Sequence, residues 1–256
     1  MSKEKYPFIK VKDEKQIAYS SHEGRSPGVM FLGGFLSNME GTKACSLELH
    51  CRAVGRSFVK FDYMGHGSSS GDFNEGTIGS WTDDAIAVLD QVAKGPQVLV
   101  GSSMGGWISL LCALARPKEI YGIVGVASAP DFTEDLIWNQ LSESQQEEIY
   151  KEGILHLHSE YSEEPYVITR DLIEEGRKHL LLDGDISLRC PLRLIHGMKD
   201  LDVPWSYSEK LLNSFESENV NLTLIKEGDH RLSRPQDIKL LIDIVETLCI
   251  EIEHPI

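Results

Sequence analysis

No stretch of the chain is apolar for long enough to span a membrane: nothing in its 256 residues approaches the roughly 18 to 20 consecutive apolar positions a spanning helix needs. The opening Met1-Ser2-Lys3-Glu4-Lys5-Tyr6 lacks both an apolar signal core and an Arg-rich, acid-poor transit pattern, so a cytoplasmic protein is expected. Cysteine is scarce and poorly spaced for ligation. The five (Cys45, Cys51, Cys112, Cys190, Cys249) are odd in number and never stand as Cys-x-x-Cys, which argues against a disulfide framework and against a zinc site. Basic residues are outnumbered, 25 Lys and Arg against 40 Asp and Glu, and the resulting net charge of −15 repels polyanions at long range. Nucleic acid and anionic membrane are therefore not expected partners.

Repeats and low-complexity tracts are also missing; what the chain has is alternation. After an alternating opening (Ile9 to Val11, Gln16 to Tyr19), β-branched runs at Gly28 to Leu32, Ser57 to Asp62, Gln97 to Gly101, Ile123 to Ser128, Leu192 to His196 and Asn221 to Lys226 predict strands. Between most of them lie amphipathic patterns: Gly41 to Gly55, Ile78 to Lys94, Ser103 to Ala115, Trp205 to Phe215 and Pro235 to Ile250 predict helices. Strands alternating with helices imply a parallel sheet covered on both faces, in one domain spanning 1–256. From about Asp131 to Arg189 the rhythm breaks into helical patterns with no obvious buried strand, which predicts an inserted helical cap over 131–189.

Gly101-Ser102-Ser103-Met104-Gly105, followed by Gly106, stands where the buried run Gln97 to Val100 hands over to the helical run Trp107 to Leu111. A serine on such a turn sits in a strained conformation that lifts its hydroxyl off the sheet, and the positions two before and two after must be nearly free of side chain. Only Ser103 has glycine at both; Ser102 does not. The N–H of Met104 then lies at a helix N-terminus, where developing negative charge is favoured. A tight strand-to-helix junction needing glycine for packing alone would not explain a polar serine at the strained position.

A serine hydroxyl needs a histidine to take its proton and a carboxylate to orient that histidine. Two late strands end in suitable loops: His196-Gly197-Met198-Lys199-Asp200 and Glu227-Gly228-Asp229-His230. This gives His230 as base and Asp200 as acid, with Asp202 and Asp131 as the other places for the carboxylate. Of the remaining histidines, His196 reads as a strand-end residue beneath the acid loop and His66 as part of a glycine turn. The loop after Val29 to Leu32, Gly33-Gly34-Phe35, allows close backbone approach and offers the N–H of Phe35 as the second oxyanion donor beside Met104. Asp62 to Gly71 is glycine-rich but lacks the Lys-Ser/Thr ending of a phosphate loop, and reads as a structural turn.

With these residues in view the chain resembles the α/β-hydrolase superfamily along nearly its whole length. Ser103, Asp200 and His230 fall in that family's triad order, and Asp62 to Ser69 is similar to its Asp-x-x-Gly-His-Gly-x-Ser turn. Gly41 to Ala44, Lys60 to Tyr63, Gly101 to Trp107, His196 to Asp200 with Val203 to Trp205, and Gly228 to Arg231 look like the mitochondrial palmitoyl-protein thioesterases that also act as acyl-glucuronide esterases, and like their bacterial relatives. The resemblance implies an enzyme cleaving acyl thioesters or esters through an acyl-enzyme on Ser103, with no cofactor and no metal, and a small-molecule or S-acylated protein as substrate partner. It also implies the mitochondrial matrix as the alternative compartment for a processed form. The segment Pro130 to Trp138 looks bacterial rather than mitochondrial, and Phe132, Leu136, Ile137 and Trp138 either line an acyl pocket or pack the cap. General carboxylesterase, lipase, carbon-carbon hydrolase and peptidase chemistry stay open. So does a non-catalytic receptor built on the fold.

Overall fold

The computed structural model describes residues 6–157 and 166–254; the chain's first five residues, read above for an address, lie outside them. Eight strands form one sheet in the order β1-β2-β4-β3-β5-β6-β9-β10. β1 (Phe8–Lys10) and β2 (Gln16–His22) join it antiparallel. β3 (Arg25–Leu32), β4 (Arg56–Phe61), β5 (Gln97–Ser102), β6 (Ile120–Val126), β9 (Leu192–Gly197) and β10 (Val220–Ile225) run parallel.

Strand periodicity divides the core. Met30, Leu32 and Leu99 point to one face, where α2 (Ile78–Gln91) and α3 (Met104–Ala115) bury Trp81, Val88, Trp107 and Ile108. Val29, Phe31, Val98 and Val100 point to the other, where α1 (Thr42–Ala53) and α7 (Pro235–Glu253) supply Leu47, Cys51, Leu241 and Val245. All six residues of β5 are buried, which is why its centre, Val98-Leu99-Val100, reads as a continuous apolar run and not as an alternating one. α6 (Ser206–Ser214) follows β9 and packs against β9 and β10.

Between β6 and β9 the chain leaves the sheet, and here it departs from the helical insertion expected over 131–189. Helical turns at Thr133–Ile137 and Trp138–Gln140 lead into α4 (Glu143–Glu152), then comes an antiparallel hairpin of β7 (Ile154–Leu157) and β8 (Tyr166–Thr169), then α5 (Arg170–Gly176). The hairpin corrects the all-helical expectation: each strand has four residues, too few for period-two alternation to stand out, although Val167, Ile168 and Thr169 are β-branched. Residues 158–165, within the expected cap, lie outside the described residues.

Asp131 ties this segment down. Its carboxylate, buried at the end of the β6 loop, accepts the N–H groups of Leu181 and Leu182 at 2.7–3.0 Å. Trp107 Nε1 of α3 donates to the carbonyl of His179 at 3.0 Å, a second anchor from the sheet side.

Candidate active site

Ser103 joins β5 to α3 with φ 54° and ψ −119°, a region that side-chain-bearing residues seldom occupy. The glycines on either side are required by contact. A Cβ on Gly101 would lie 2.3 Å from the carbonyl oxygen of Gly105, and one on Gly105 would lie 2.2 Å from that of Leu32. The turn thus lets α3 start directly against β3, and the Ser103 hydroxyl, instead of capping α3, points to the loops at the carboxyl edge of the sheet.

Two of those loops meet it. His230, after β10, has Nε2 3.1 Å from Ser103 Oγ, and its Nδ1 lies 2.7 Å from Asp200 Oδ2 on the loop after β9. A carboxylate only accepts, so Nδ1 carries the proton and Nε2 is free to accept the serine O–H. The Asp200 side chain is fully buried, whereas His230 keeps 19% of its side chain exposed. Gly34 brings the third loop in: a Cβ there would come within 3.4 Å of Ser103 Cβ. Among the described residues, no protein acceptor pairs with the N–H of Phe35 or of Met104. Thus Ser103, His230 and Asp200 come together at one sheet edge, beside the loop of Gly34 that leads to Phe35.

The serine aminopeptidase, S33 family (Hydrolase_4) matches residues 29–172. The mitochondrial palmitoyl-protein thioesterase ABHD10 of Homo sapiens is 41% identical over 242 residues, covering 94% of this chain and 79% of that protein. The solved α/β hydrolase domain-containing protein 10 from mouse superposes with a TM-score of 0.90 at 40% identity, covering 97% of this chain and 99% of that one. The chain belongs to the α/β-hydrolases. A putative hydrolase from Agrobacterium vitis S4 is equally similar in shape, with TM-score 0.91, 38% identity, 96% of this chain and 98% of that one covered. This α/β-hydrolase is a serine hydrolase.

Within the hydrolase, Asp200 is held from four directions. Its Oδ1 accepts the N–H of Asp202 at 2.9 Å and of Val203 at 2.8 Å, while Oδ2 receives His230 and also His196 Nε2 at 3.1 Å. Burial alone would raise its pKa, but the bonds from His196 and His230, the neighbouring His230 charge and the Val203 amide hold the carboxyl well below the usual carboxylate range. Asp200 therefore stays ionised at neutral pH. Asp200, Asp202 and His230 also bring three ligand-type groups within 4.8 Å of one another, but the Asp200 oxygens and His230 Nδ1 are already engaged with each other and with backbone amides.

The other candidates stand elsewhere. Asp131 is committed to Leu181 and Leu182. His66 is buried with Nδ1 beside the carbonyl of Met64 and its ring among Tyr63, Phe73 and Trp81; burial lowers its pKa. In the same turn the Asp62 carboxylate accepts the N–H of Met39 and of Ser68, each at 2.7 Å, so the glycine-rich loop is structural. The Phe35 ring packs edge-on against Phe73, Trp81 and Phe132 at 4.9–6.0 Å. One contact near the site escaped the sequence: half-buried Lys43, whose Nζ donates to the carbonyl of Arg231 at 2.5 Å and so ties the start of α1 to the loop of His230. Burial lowers its pKa to about 8.

Proposed function

We propose that Ser103 is the nucleophile of an acyl thioester or carboxylic ester hydrolase, with His230 as its base, Asp200 as the orienting acid and the N–H groups of Phe35 and Met104 as the oxyanion donors. The observation that carries this reading is the unbroken run of short contacts from Ser103 Oγ through His230 to buried Asp200, built on a strained strand-to-helix turn.

In the first half-reaction Ser103 Oγ bonds to the acyl carbonyl carbon while its proton passes to His230 Nε2. The negative oxygen that forms faces the two N–H groups, and ionised Asp200 stabilises the imidazolium. Collapse breaks the bond to the leaving group, which takes the proton from His230 Nε2 and departs as thiol or alcohol, leaving Nε2 free for the second half-reaction. Water then attacks the acyl-enzyme, giving its proton to His230 Nε2; the carboxylic acid leaves and Ser103 recovers its hydrogen.

The thioester side of the reading rests on ABHD10, named as a palmitoyl-protein thioesterase, at 41% identity. Its substrate here is a small acyl (thio)ester or an S-acylated protein. The segment between β6 and β9 acts in this reading as the cap, with Phe132, packed against both Phe35 and Trp107, nearest the acyl chain. The mammalian relatives are named as mitochondrial, which favours the matrix over the cytoplasm. No helix among the described residues is long and apolar enough to cross a membrane.

The test is hydrolysis of matched p-nitrophenyl esters and S-acyl-cysteine thioesters, with acyl chains from acetyl to palmitoyl, by the wild type and Ser103→Ala. A long-chain thioester optimum abolished in the variant is expected. A short-ester optimum would instead make the protein a general carboxylesterase, and equal rates in both proteins would remove Ser103 from the chemistry.

A further inference from the structure

Asp200 serves two histidines, and the second arm repeats the first. On one side Asp200 Oδ2 meets His230, whose far nitrogen meets Ser103. On the other it meets His196 Nε2 at 3.1 Å, and the far nitrogen of His196, Nδ1, lies 2.7 Å from Ser208 Oγ on α6. The order Ser103, His230, Asp200, His196, Ser208 is the same from either end.

Exposure separates the arms. His196 is fully buried and Ser208 is 1% exposed, so no substrate reaches the second serine. His196 Nε2 also lies 2.9 Å from the carbonyl of Val203, so two acceptors converge on it and it must carry the proton. Nδ1 is then an acceptor, and the Ser208 O–H donates to it. The two acceptors on Nε2 select this tautomer, and the Ser208 hydroxyl gives the buried Nδ1 the donor it needs, fixing the ring in place.

We infer that His196, anchored at its far nitrogen by Ser208, is a positioning residue that keeps the Asp200 carboxylate aimed at His230. The inference rests on the proposed roles of Ser103, His230 and Asp200. The second arm does what the backbone amides of Asp202 and Val203 cannot do. Those amides hold Oδ1 alone, and of the two donors on Oδ2 only His196 is fully buried, so it limits the carboxylate's tilt about Oδ1 without depending on the histidine that the carboxylate orients. By bonding Asp200 and Val203 together, His196 also closes the acid loop over its own ring. Its role is the one that outer partners play for the ligands of a catalytic group, where their loss commonly costs about 10- to 100-fold.

The experiment is a double-mutant cycle on kcat and KM, run on the full chain with the thioester or ester the wild type cleaves best. His196→Leu removes the donor and should lower kcat about 10- to 100-fold with KM little changed. His196→Gln, whose amide can reach the place of Nε2, should recover part of that loss. In an Asp200→Asn background His196→Leu should cost almost nothing more, because both changes act through the same carboxylate. A merely structural role would give a loss that multiplies with that of Asp200→Asn and is not relieved by Gln; that result, or a folded His196→Leu enzyme with wild-type kcat, overturns the inference. If His196→Leu does not fold, Ser208→Ala enters the same cycle in its place. It deletes one oxygen, and a few-fold loss of kcat that vanishes in the Asp200→Asn background is expected. Ser103→Ala run alongside keeps the two readings apart. If it is inactive while the cycle multiplies, only the positioning role fails; if it is active, the triad itself fails.

Discussion

The carboxyl edge of the sheet and the segment between β6 and β9 are built on opposite terms. At the edge, backbone touches backbone: the contacts of Gly101 and Gly105 leave no room for a methyl group, and Asp200 has a donor on each side. The segment between β6 and β9 instead rests on side chains, with aromatic edges around Phe132 and Trp138, the Arg177 to Glu134 ion pair, and the carboxylate of Asp131. Chemistry needs positions that do not vary, and recognition needs a surface that can be recut without moving them. If the division holds, changes at the edge will act on kcat or on folding as a whole, and changes in the segment will act on KM or on local stability.

The sharpest attempt to break the comparison is at the two ends of the proposed triad. By analogy with other Ser-His-Asp enzymes, Ser103→Ala should lower kcat on the order of 10⁶-fold, about 8 kcal/mol of transition-state stabilisation. Asp200→Asn should cost about 10⁴-fold, because an amide at that place favours the wrong tautomer of His230. Both are read from initial rates on the best substrate, with KM nearly constant. A large rise in KM at either position would put binding, not chemistry, at the sheet edge.

These two residues also mark where the sequence was most legible. Ser103 is marked by its flanking glycines, and Asp200 and His230 by their place after the last two parallel strands, because each signal is local and tied to a strand end. The core strands were legible for the same reason: burial on both faces makes Val98-Leu99-Val100 of β5 a continuous apolar run. Legibility failed where partners are distant in sequence and the segments short. The β7 and β8 hairpin is too brief to show a period. The bond of His196 to Asp200 was hidden because a strand-end histidine looks the same whether it packs or donates. Lys43 holds a carbonyl 188 residues away, which no local pattern records.

The next largest effect is on folding. Gly105→Ala places a methyl carbon 2.2 Å from the carbonyl oxygen of Leu32, a backbone atom that cannot swing aside. Thermal or urea unfolding should show a loss of about 3 kcal/mol, with the remaining folded enzyme impaired at Ser103 as well. An unaffected Gly105→Ala protein would mean that the edge tolerates movement.

Asp131 probes the seam between the two regions. Asp131→Ala strands the N–H groups of Leu181 and Leu182 and leaves an alanine at φ 59°, for a loss of about 2 kcal/mol. Asp131→Asn keeps an acceptor and suits that backbone, so it should lose less. The pH dependence separates the two further. Burial, above all, raises the pKa of Asp131 against the opposing bonds from Leu182 and Leu181, so the folded protein keeps this proton to higher pH than the unfolded chain does. Its contribution to stability is thus full below the ordinary carboxylate range and falls as pH rises through the raised pKa. Unfolding followed from pH 4 to 8 should show that decline in the wild type and not in Asp131→Asn; a decline common to both assigns it to other groups.

The smallest effect tests what the segment does for substrate. Phe132 lies 5.8 Å, centroid to centroid, from both Phe35 and Trp107, which places it between the Gly33 to Phe35 loop and the helix that begins at Met104. Trp138 instead packs within the segment, 5.3 Å from Tyr150 and under the Arg177 guanidinium at 4.7 Å. The two aromatics, grouped together by sequence as acyl-pocket or packing residues, should therefore part company. Phe132→Leu keeps the core filled but trims the ring, and should raise KM for long acyl chains about fivefold, about 1 kcal/mol, while leaving kcat and short-chain KM nearly unchanged. Trp138→Leu should lower local stability by a similar amount through loss of the ring and cation contacts, and leave chain-length preference alone. Equal shifts in KM from both would show that the acyl chain runs deeper into the segment than Phe132. A fall in kcat from Phe132→Leu would show that the segment reaches the transition state, and the division between a rigid edge that reacts and an adaptable segment that recognises would have to be redrawn through Phe35.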